Sequence, residues 1–406
     1  MPLFPFPSRV RDMGSREIFI LRCAPFGHEG RQVFDRRLIQ NFDWLLLILL
    51  LLLAAISVAN LYSAIYPTKA FGGQAIFYRQ IYWFILGFSV FLLVTTFNYK
   101  SLERLARPVW LISVALLVAV LILGKWTAGS RRWLSLGLIT FQPSELAKIS
   151  VILLLAKMLS ERDHVAEYTL RELVKPILII LIPTALILKE PDLGTALLLV
   201  FVSGSMMLFA RINWKIYLGI GITAIGCVPL LWLGLKDYQR ERILTFLNPD
   251  RDPLGAGYHI KQSKIAIGSG QLWGKGYLEG TQTKLNFLPE QHTDFAFSVF
   301  AEEWGFVGSI VLLALYFILI LWGLDIARNS KDKFGTMVAV GIVCIMLWQV
   351  VINLGMVMGL LPVVGIPLLL FSYGGSSLIS TMAMLGLLMN ISMRRFMFQE
   401  GSGLGQ

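Results

Sequence analysis

The chain has 406 residues, of which 56% are hydrophobic and only 15% are charged, and its formal net charge is +11. Soluble domains carry roughly 25% charged residues, so this composition excludes a soluble, a fibrous or a disordered protein. In a membrane protein the basic excess usually lies in cytoplasmic loops and orients the chain, so we expect no nucleic-acid partner.

Ten apolar runs, bounded by charged residues, Gly or Pro, follow one another along the chain. A membrane-spanning helix needs about 20 apolar residues, so ten such helices would use nearly the whole apolar supply. We therefore predict an all-α polytopic membrane protein with ten spans. The spans are at residues 44–63, 79–97, 108–124, 143–159, 175–188, 193–210, 216–235, 296–324, 335–355 and 367–390.

The distribution of Lys and Arg orients these spans. One set of connections, which includes both ends of the chain, holds 21 of the 36 basic residues. Because basic loops remain on the cytoplasmic side, we predict that both termini are cytoplasmic. An even number of spans agrees with that placement.

Three segments lie outside the spans. Residues 1–33 are rich in Pro, Arg and Phe without a sustained period, which predicts a poorly ordered cytoplasmic extension. Residues 397–406 are predicted to form a short cytoplasmic tail. Residues 236–294 form a large external loop with eight basic and seven acidic residues. This loop is too apolar for free disorder, so we predict short amphipathic helices on the outer membrane surface.

Ionisable residues at membrane depth are costly and therefore mark candidate functional sites. The first cluster, residues 288–295, lies where the large loop meets the eighth span. If Asp294 begins that helix, then Asp294, Ser298 and Glu302 fall on one face at i, i+4 and i+8. Asp294 alone is equally well explained as a helix N-cap, but Glu302 is not.

The second cluster lies at the start of the fourth span. Glu145 and Lys148 are three residues apart, so they can pair on one helix face. We interpret the pair first as structural, because it neutralises two charges, and also as a candidate wall of a polar cavity. Upstream, Arg132 and Trp133 are suited either to phosphate binding or to anchoring in the membrane interface.

Two further clusters complete the set. In the third, Lys189 is followed by Glu190, a candidate helix cap, and by Asp192, whose charge would complement the dipole of the next helix. This string is therefore either a helix start or part of a polar pocket. The fourth cluster, residues 361–377, contains Tyr373 and several Gly and Pro residues that break a helix. Such a broken segment either lines a cavity or allows helices to pack closely. All four clusters lie on the predicted external side, which favours one external active or binding site.

Six strings of residues are jointly specific for one family. They are FQPSE at 141–145, PDLGT at 191–195, DPLGAGYH at 252–259, QSKIAIGSG at 262–270, FLPEQHTDF at 287–295 and SYGGS at 372–376. In order and spacing they resemble the SEDS family (shape, elongation, division and sporulation). The resemblance covers residues 34–396 as one membrane domain and is closer to the elongation branch than to the division branch.

The resemblance implies a peptidoglycan glycosyltransferase of the bacterial cytoplasmic (inner) membrane that serves cell elongation and rod shape. Such enzymes polymerise lipid II on the external face. The glycan held on undecaprenyl pyrophosphate is the donor, and the 4-hydroxyl of the incoming lipid II is the acceptor. One inverting displacement then forms the β-1,4 linkage. The implied protein partners are a class B penicillin-binding protein transpeptidase and other membrane proteins of the elongation complex.

The family's proposed catalytic aspartate matches Asp294, which would act as the base. From the clusters and the resemblance together, we expect substrate-binding or supporting roles for Glu145, Lys148, Arg132, Trp133, Lys189, Asp192, Glu302 and Tyr373. The leaving pyrophosphate needs cationic help, for which Lys148, Arg132 and Lys189 are candidates. A divalent metal such as Mg or Mn, held by carboxylates, is the alternative, and no other cofactor is expected.

Two other classes of function are also compatible with parts of the sequence. A lipid II flippase or another transporter would also use intramembrane charges and broken helices. It would need a path to the cytoplasmic face, whereas the charge clusters here all lie on one side. A non-catalytic scaffold of the cell-wall elongation complex would need neither aligned carboxylates nor a polar cavity.

Overall fold

A computed structural model of the chain describes residues 41–66, 73–127, 130–136, 139–161, 170–209, 237–253, 255–285, 287–288 and 290–395, with a few isolated positions between 216 and 234. The predicted extension at 1–33, the tail at 397–406 and most of the predicted seventh span at 216–235 lie outside the described residues.

The described chain is mostly helical. In chain order its elements are α1 (Trp44–Ile65), α2 (Gly73–Thr96), α3 (Tyr99–Leu123), β1 (Lys125–Thr127), β2 (Ser130–Leu136), β3 (Ile139–Phe141), α4 (Pro143–Ser160), α5 (Leu170–Lys189), α6 (Leu193–Leu208), α7 (Asp237–Leu247), a 3-10 turn (Pro249–Arg251), α8 (Ala256–Ser269), α9 (Thr281–Lys284), α10 (Ala296–Arg328), α11 (Lys333–Val357) and α12 (Gly375–Arg394).

Within the described residues, nine predicted spans coincide with helices, that is, every predicted span except the seventh. Six of these helices, α1, α2, α3, α10, α11 and α12, are long and apolar enough to cross a membrane. Helices α4 and α5 carry several charged residues, and α6 has only 16 residues. The protein is therefore a multi-pass membrane protein.

The prediction of a purely helical protein is wrong between α3 and α4. There the chain forms a three-stranded antiparallel sheet in the order β1-β2-β3, with Trp126 opposite Arg131 and Ser135 opposite Thr140. The segment is too short and too polar for another span, and antiparallel pairing satisfies its backbone groups locally. β2 carries Arg132 and Trp133, and β3 leads directly into α4.

Several helices begin at a short polar side chain that accepts a hydrogen bond from the first turn. Asp43 accepts from the Leu46 amide at the start of α1, and Asp332 accepts from the Gly335 amide at 2.8 Å at the start of α11. At α6 the cap is Asp192, whose carboxylate accepts from the Thr195 amide at 3.2 Å. The prediction that Glu190 caps this helix is therefore wrong.

The last span begins later than predicted, at Gly375 rather than at residue 367. Residues 362–374 are unwound, with Gly365 at a positive φ of 73°. Side chains of other helices satisfy the freed carbonyls: Ser57 donates to Phe371 O at 2.8 Å and Gln349 donates to Pro367 O at 2.9 Å. An apolar run can thus leave the helical conformation because the neighbouring helices supply its hydrogen bonds.

Helix α10 has 33 residues, which corresponds to about 50 Å and exceeds the roughly 30 Å of a bilayer core. It is broken at Gly305, whose φ is 66°. Residues 270–276 insert their backbone into this break: the Phe306 amide donates to Gln271 O at 2.8 Å, and the Lys275 amide donates to Glu302 O at 3.0 Å. The break therefore joins the predicted external loop to α10.

The large loop contains α7, α8, α9 and the 3-10 turn. Its position relative to a membrane stays a prediction. α8 packs on α10, and Ser263 of α8 hydrogen-bonds Ser298 at 2.8 Å. The loop is thus attached to the bundle through α10.

Successive helices run in opposite directions, and the two ends of the bundle carry different residues. At one end Asp43 accepts from Trp322 and Ser392, each at 2.9 Å, and Tyr99 donates to Asp332 at 2.6 Å. At the other end lie the starts of α4, α6, α10 and α12. Helices α11 and α12 are buried along most of their length and form the centre, whereas α2 and α3 are largely exposed.

Candidate active site

The four charge clusters predicted from the sequence meet in one pocket. It has a volume of about 190 Å³ and lies where the sheet, the starts of α4 and α6, the turn before α10 and the unwound segment before α12 come together. The pocket is lined by Arg132, Trp133, Gln142, Glu145, Lys148, Asp192, Thr195, Leu198, Thr293, Asp294, Gln349, Gly365, Ile366, Pro367, Tyr373, Gly374 and Ser377.

Asp294 lines this pocket from the turn that precedes α10. The helix begins at Ala296 and has no side-chain cap, so Asp294 is neither its N-cap nor on its face. The predicted stack of Asp294, Ser298 and Glu302 is therefore wrong. Burial raises the pKa of the Asp294 carboxyl to about 6, and the negative charge of Glu290 adds to this rise. Asp294 thus titrates close to neutral pH, as a proton acceptor should.

The turn that carries Asp294 is fixed by its own backbone and by the unwound segment. The Thr293 amide donates to Glu290 O at 3.1 Å, and the Tyr373 amide donates to His292 O at 2.9 Å. The His292 ring lies 5.9 Å from the Tyr373 ring, and burial lowers the pKa of this histidine. Tyr373 and Asp294 therefore both line the pocket, so residues of the first and fourth clusters meet there.

The predicted pairing of Glu145 with Lys148 is confirmed. Lys148 Nζ lies 2.9 Å from Glu145 Oε1, and both side chains are buried in α4 at the pocket wall. Ser380 of α12 donates a further hydrogen bond to Glu145 Oε2. The pair thus ties α4 to α12 and brings one cation and one anion into the pocket.

Arg132 of β2 lines the pocket and is held mainly by backbone carbonyls. Its Nε donates to Glu190 O at 3.2 Å, its Nη2 donates to Pro191 O, and its Nη1 lies 3.8 Å from the Asp192 carboxylate. Asp192 also accepts from the Thr195 hydroxyl at 2.9 Å and from Gln142 at 3.4 Å. The guanidinium is therefore fixed in orientation before any ligand binds.

Glu190 is completely buried, and among the residues that the structure describes neither of its carboxyl oxygens has a hydrogen-bond partner. Burial raises the pKa of Glu190 to about 8, and the neighbouring Asp192 charge adds to the rise. The carboxyl is therefore protonated at neutral pH, which avoids an unpaired buried charge.

Two of the predicted site residues do not line the pocket. The Lys189 side chain is exposed at the end of α5. Glu302 is fully buried, and its Oε1 accepts from Lys275 at 2.7 Å and from the amides of Thr281 at 2.9 Å and Gln282 at 3.1 Å. Glu302 thus holds the start of α9 and stabilises the large loop.

Sequence reasoning missed two residues that other helices contribute. Gln349 of α11 lines the pocket, and Ser380 of α12 contacts Glu145. A polar side chain inside an otherwise apolar span was the available signal, because such residues face the interior of a bundle. Gln349 and Asn353 show it most clearly, since they lie one helical turn apart on the same face.

The donor set of the pocket suits acid–base chemistry better than a resident metal. Within the described ranges, no three or more Asp, Glu, His or Cys side chains are gathered as a metal site. Glu145 is engaged by Lys148 and Ser380, and Asp192 by Thr195 and Arg132. Asp294 is thus the pocket carboxylate suited to take a proton, with two cations nearby to bind an anionic group.

Comparison with known proteins identifies the family. A family model described as cell cycle protein, of FtsW, RodA and SpoVE, matches residues 43–396. The chain belongs to this family. Its match covers every pocket residue, so the pocket lies entirely within the family's domain.

Relatives in the family carry enzyme names. Peptidoglycan glycosyltransferase MrdB of Escherichia coli strain K12 is 44% identical over 356 residues, which is 87% of this chain and 94% of that protein. Peptidoglycan glycosyltransferase RodA of Treponema pallidum is 34% identical over 429 residues, covering 88% of this chain and 99% of that protein.

Solved structures share the fold. A chain from work on the structural coordination of polymerization and crosslinking by a peptidoglycan synthase complex is 36% identical, with a TM-score of 0.75 over 87% of this chain and 98% of that one. The rod shape determining protein RodA of Thermus thermophilus is 32% identical, with a TM-score of 0.66 and the same coverage.

Proposed function

We propose that this chain is a peptidoglycan glycosyltransferase of cell elongation that polymerises lipid II into glycan strands. The observation that carries the proposal is one pocket that joins a proton-accepting carboxylate, Asp294, to two fixed cations, Arg132 and Lys148. Relatives that share most of the chain are named for the same activity. A transporter or a scaffold would need no such combination at one end of the bundle.

In the proposed reaction Asp294 is the general base. It removes the proton from the 4-hydroxyl of the incoming lipid II while that oxygen attacks the anomeric carbon of the donor glycan. The bond from the anomeric carbon to the pyrophosphate oxygen breaks with inversion, and undecaprenyl pyrophosphate leaves with the electron pair. A carboxyl with a pKa of about 6 is ionised at neutral pH and still basic enough to accept the proton.

The leaving pyrophosphate gains negative charge and needs oriented cations. We assign this role to Arg132 and Lys148, since both line the pocket and both are held in place before the reaction. Trp133 and Tyr373 form apolar and polar walls for the sugar or the pyrophosphate. Within the described residues the pocket carboxylates are not gathered as metal ligands, and the proposed steps use no divalent metal such as Mg or Mn.

For the membrane topology we propose ten spans, with both termini in the cytoplasm of the cell and the pocket on the external face of the cytoplasmic (inner) membrane. The end of the bundle remote from the pocket supports this placement. It carries Lys100, Lys157 and Arg394 beside Asp332, Glu161 and Asn390. Basic residues favour the cytoplasmic side, so the pocket would face outward, where lipid-linked precursors are polymerised.

We propose a class B penicillin-binding protein transpeptidase as the main protein partner, together with other membrane proteins of the elongation complex. The support is the similar chain solved in work on a peptidoglycan synthase complex that coordinates polymerization and crosslinking. Lipid II and the undecaprenyl-pyrophosphate-linked glycan are the proposed substrates.

Polymerisation of lipid II by the purified protein, resolved on a gel with and without the transpeptidase, tests the proposal. Asp294→Asn should lower the rate by about 10²–10⁴-fold, because the amide cannot accept the proton. Asp250→Asn is the matched control: its side chain is 78% exposed and pairs with Lys261 in the same loop. Full activity of Asp294→Asn would remove the base from the mechanism. Transbilayer movement of labelled lipid II without polymer would instead favour a flippase.

A further inference from the structure

Asn353 is a buried amide in α11 that neither the charge clusters nor the proposed reaction uses. Its side chain is fully buried, and its two Nδ2 hydrogens have two acceptors. One is the backbone oxygen of Asp294 at 3.0 Å, and the other is the backbone oxygen of Ile366 at 2.7 Å. A single side chain therefore connects the turn that carries Asp294 to the unwound segment before α12.

These two segments meet at the carboxylate of Asp294. Gly365 has a φ of 73°, and a Cβ added to it would lie 3.4 Å from Asp294 Oδ2. A side chain at position 365 would therefore contact the carboxylate, and the glycine leaves that space open. A small displacement of either segment would change the position of the carboxylate in the pocket.

A second amide acts one turn earlier on the same face of α11. Gln349 lines the pocket and donates to Pro367 O at 2.9 Å. Gln349 and Asn353, which we call the amide ladder, thus bind the unwound segment at two points. Of these two amides, Asn353 also binds the backbone of Asp294 itself. It thus adds to the link that the Tyr373 amide makes to His292 O between the same two segments.

The orientation of the Asn353 amide follows from its acceptors. Reversing it would place Oδ1 against two carbonyl oxygens. In the observed orientation Oδ1 is buried and has no hydrogen-bond partner within the described part of the chain. An unpaired buried acceptor destabilises the protein, and a leucine of similar size would avoid that cost. The two hydrogen bonds that the amide donates offset this cost, and a leucine could not form them.

We propose that Asn353 is a positioning residue for Asp294: by binding the carbonyls of Asp294 and Ile366, it holds the turn that carries the base against the unwound segment. A general base must approach the proton it takes to within about 2.6–3.2 Å. Displacement by about 1 Å can cost about 100-fold in rate. Asn353 touches no reacting atom, and its role is exerted through Asp294; the inference rests on the proposed function.

The test compares two asparagines that bind backbone carbonyls at opposite ends of the bundle. Asn390 of α12 donates to Val94 O at 2.9 Å and to Thr95 O at 3.1 Å, about 22 Å along the helix from Gly375. Asn353→Leu and Asn390→Leu each remove a buried amide of the same kind. Each variant is purified, its folded fraction is measured by thermal unfolding, and lipid II polymerisation is measured per folded molecule.

Asn353→Leu should lower kcat by about 100-fold with little change in KM, because other contacts hold the cations Arg132 and Lys148 while the base is displaced. Its pH profile should keep the midpoint of the wild type, since no charge is added or removed. Asn390→Leu should lower the unfolding temperature but keep kcat. Asn353→Thr, which retains one hydroxyl donor, should lie between Asn353→Leu and the wild type, and it serves if the leucine variant does not fold.

Wild-type kcat in folded Asn353→Leu, a change in KM alone, or an equal loss in Asn390→Leu would each overturn the positioning role. Failure of the proposed function has a different signature. In that case the wild type would not polymerise lipid II, or Asp294→Asn would remain active, before any asparagine variant is considered.

Discussion

Removing one member of the Glu145–Lys148 pair should destabilise the protein more than removing both. Lys148 Nζ lies 2.9 Å from Glu145 Oε1, and the two side chains are only 4% and 7% exposed, lysine first. Removing one partner of such a pair leaves the other charge buried and unpaired, which costs about 3–5 kcal/mol. Replacing both by neutral side chains removes that penalty, so the double variant should approach wild-type stability.

The assay is a double-mutant cycle on the purified protein with Glu145→Gln, Lys148→Met and the double variant. The free energy of unfolding of each is compared in the same detergent. The exposed pair of Glu279 and Lys284, 2.6 Å apart with side chains 64% and 43% exposed, provides the control cycle. Its coupling energy should be only about 0–1 kcal/mol because water screens both charges.

Additivity at Glu145 and Lys148, with a coupling no larger than that of Glu279 and Lys284, would refute the reasoning. Lipid II polymerisation separates stability from function in the same variants. If Lys148 helps the pyrophosphate to leave, the double variant regains stability but not activity. Recovery of both would restrict the pair to a structural role.

Two further outcomes follow from the pocket. Burial raises the pKa of Asp294 to about 6, and the base works in its deprotonated form. Therefore kcat should rise with pH through about 6 and level off above it. A flat pH profile of initial polymerisation rates would contradict this role. Gly194→Ala should destabilise the protein and lower its activity, since the new Cβ would lie 2.6 Å from Val364 O. Gly204→Ala in the same helix is the control, because its Cβ would meet no described atom within 4 Å. In thermal unfolding it should be neutral or stabilising by up to about 1 kcal/mol.

The helices could be predicted from the sequence because apolar length is a local property. The limits of that approach appear at residues 367–374, where Leu368, Leu369, Leu370 and Phe371 extend an apolar run without helix. Pro367 and Gly374 weaken the helix locally, but the unwound form also needs carbonyl partners from Ser57 and other helices. Those partners are distant in the sequence, so the start of α12 could not be read from the run itself.

The candidate site could be predicted only where the local spacing of residues determines a contact. Glu145 and Lys148 are three residues apart, and helix geometry alone brings them together. Asp294 and Glu302 were placed on one face only because the helix was assumed to begin at Asp294; it begins two residues later. The contacts of Ser380, Gln349 and Asn353 depend on how separate helices pack, and no local spacing specifies them.

The pocket charges explain how so few residues could support glycosyl transfer. Arg132 is balanced by Asp192, and Lys148 by Glu145, so the pocket cations are stable before the substrates bind. Because the carbonyls of Glu190 and Pro191 already orient the guanidinium, it need not reorganise as negative charge grows on the leaving pyrophosphate. That growing charge also raises the proton affinity of Asp294. The base would therefore strengthen while it takes the proton, so departure of the leaving group and activation of the acceptor would support each other.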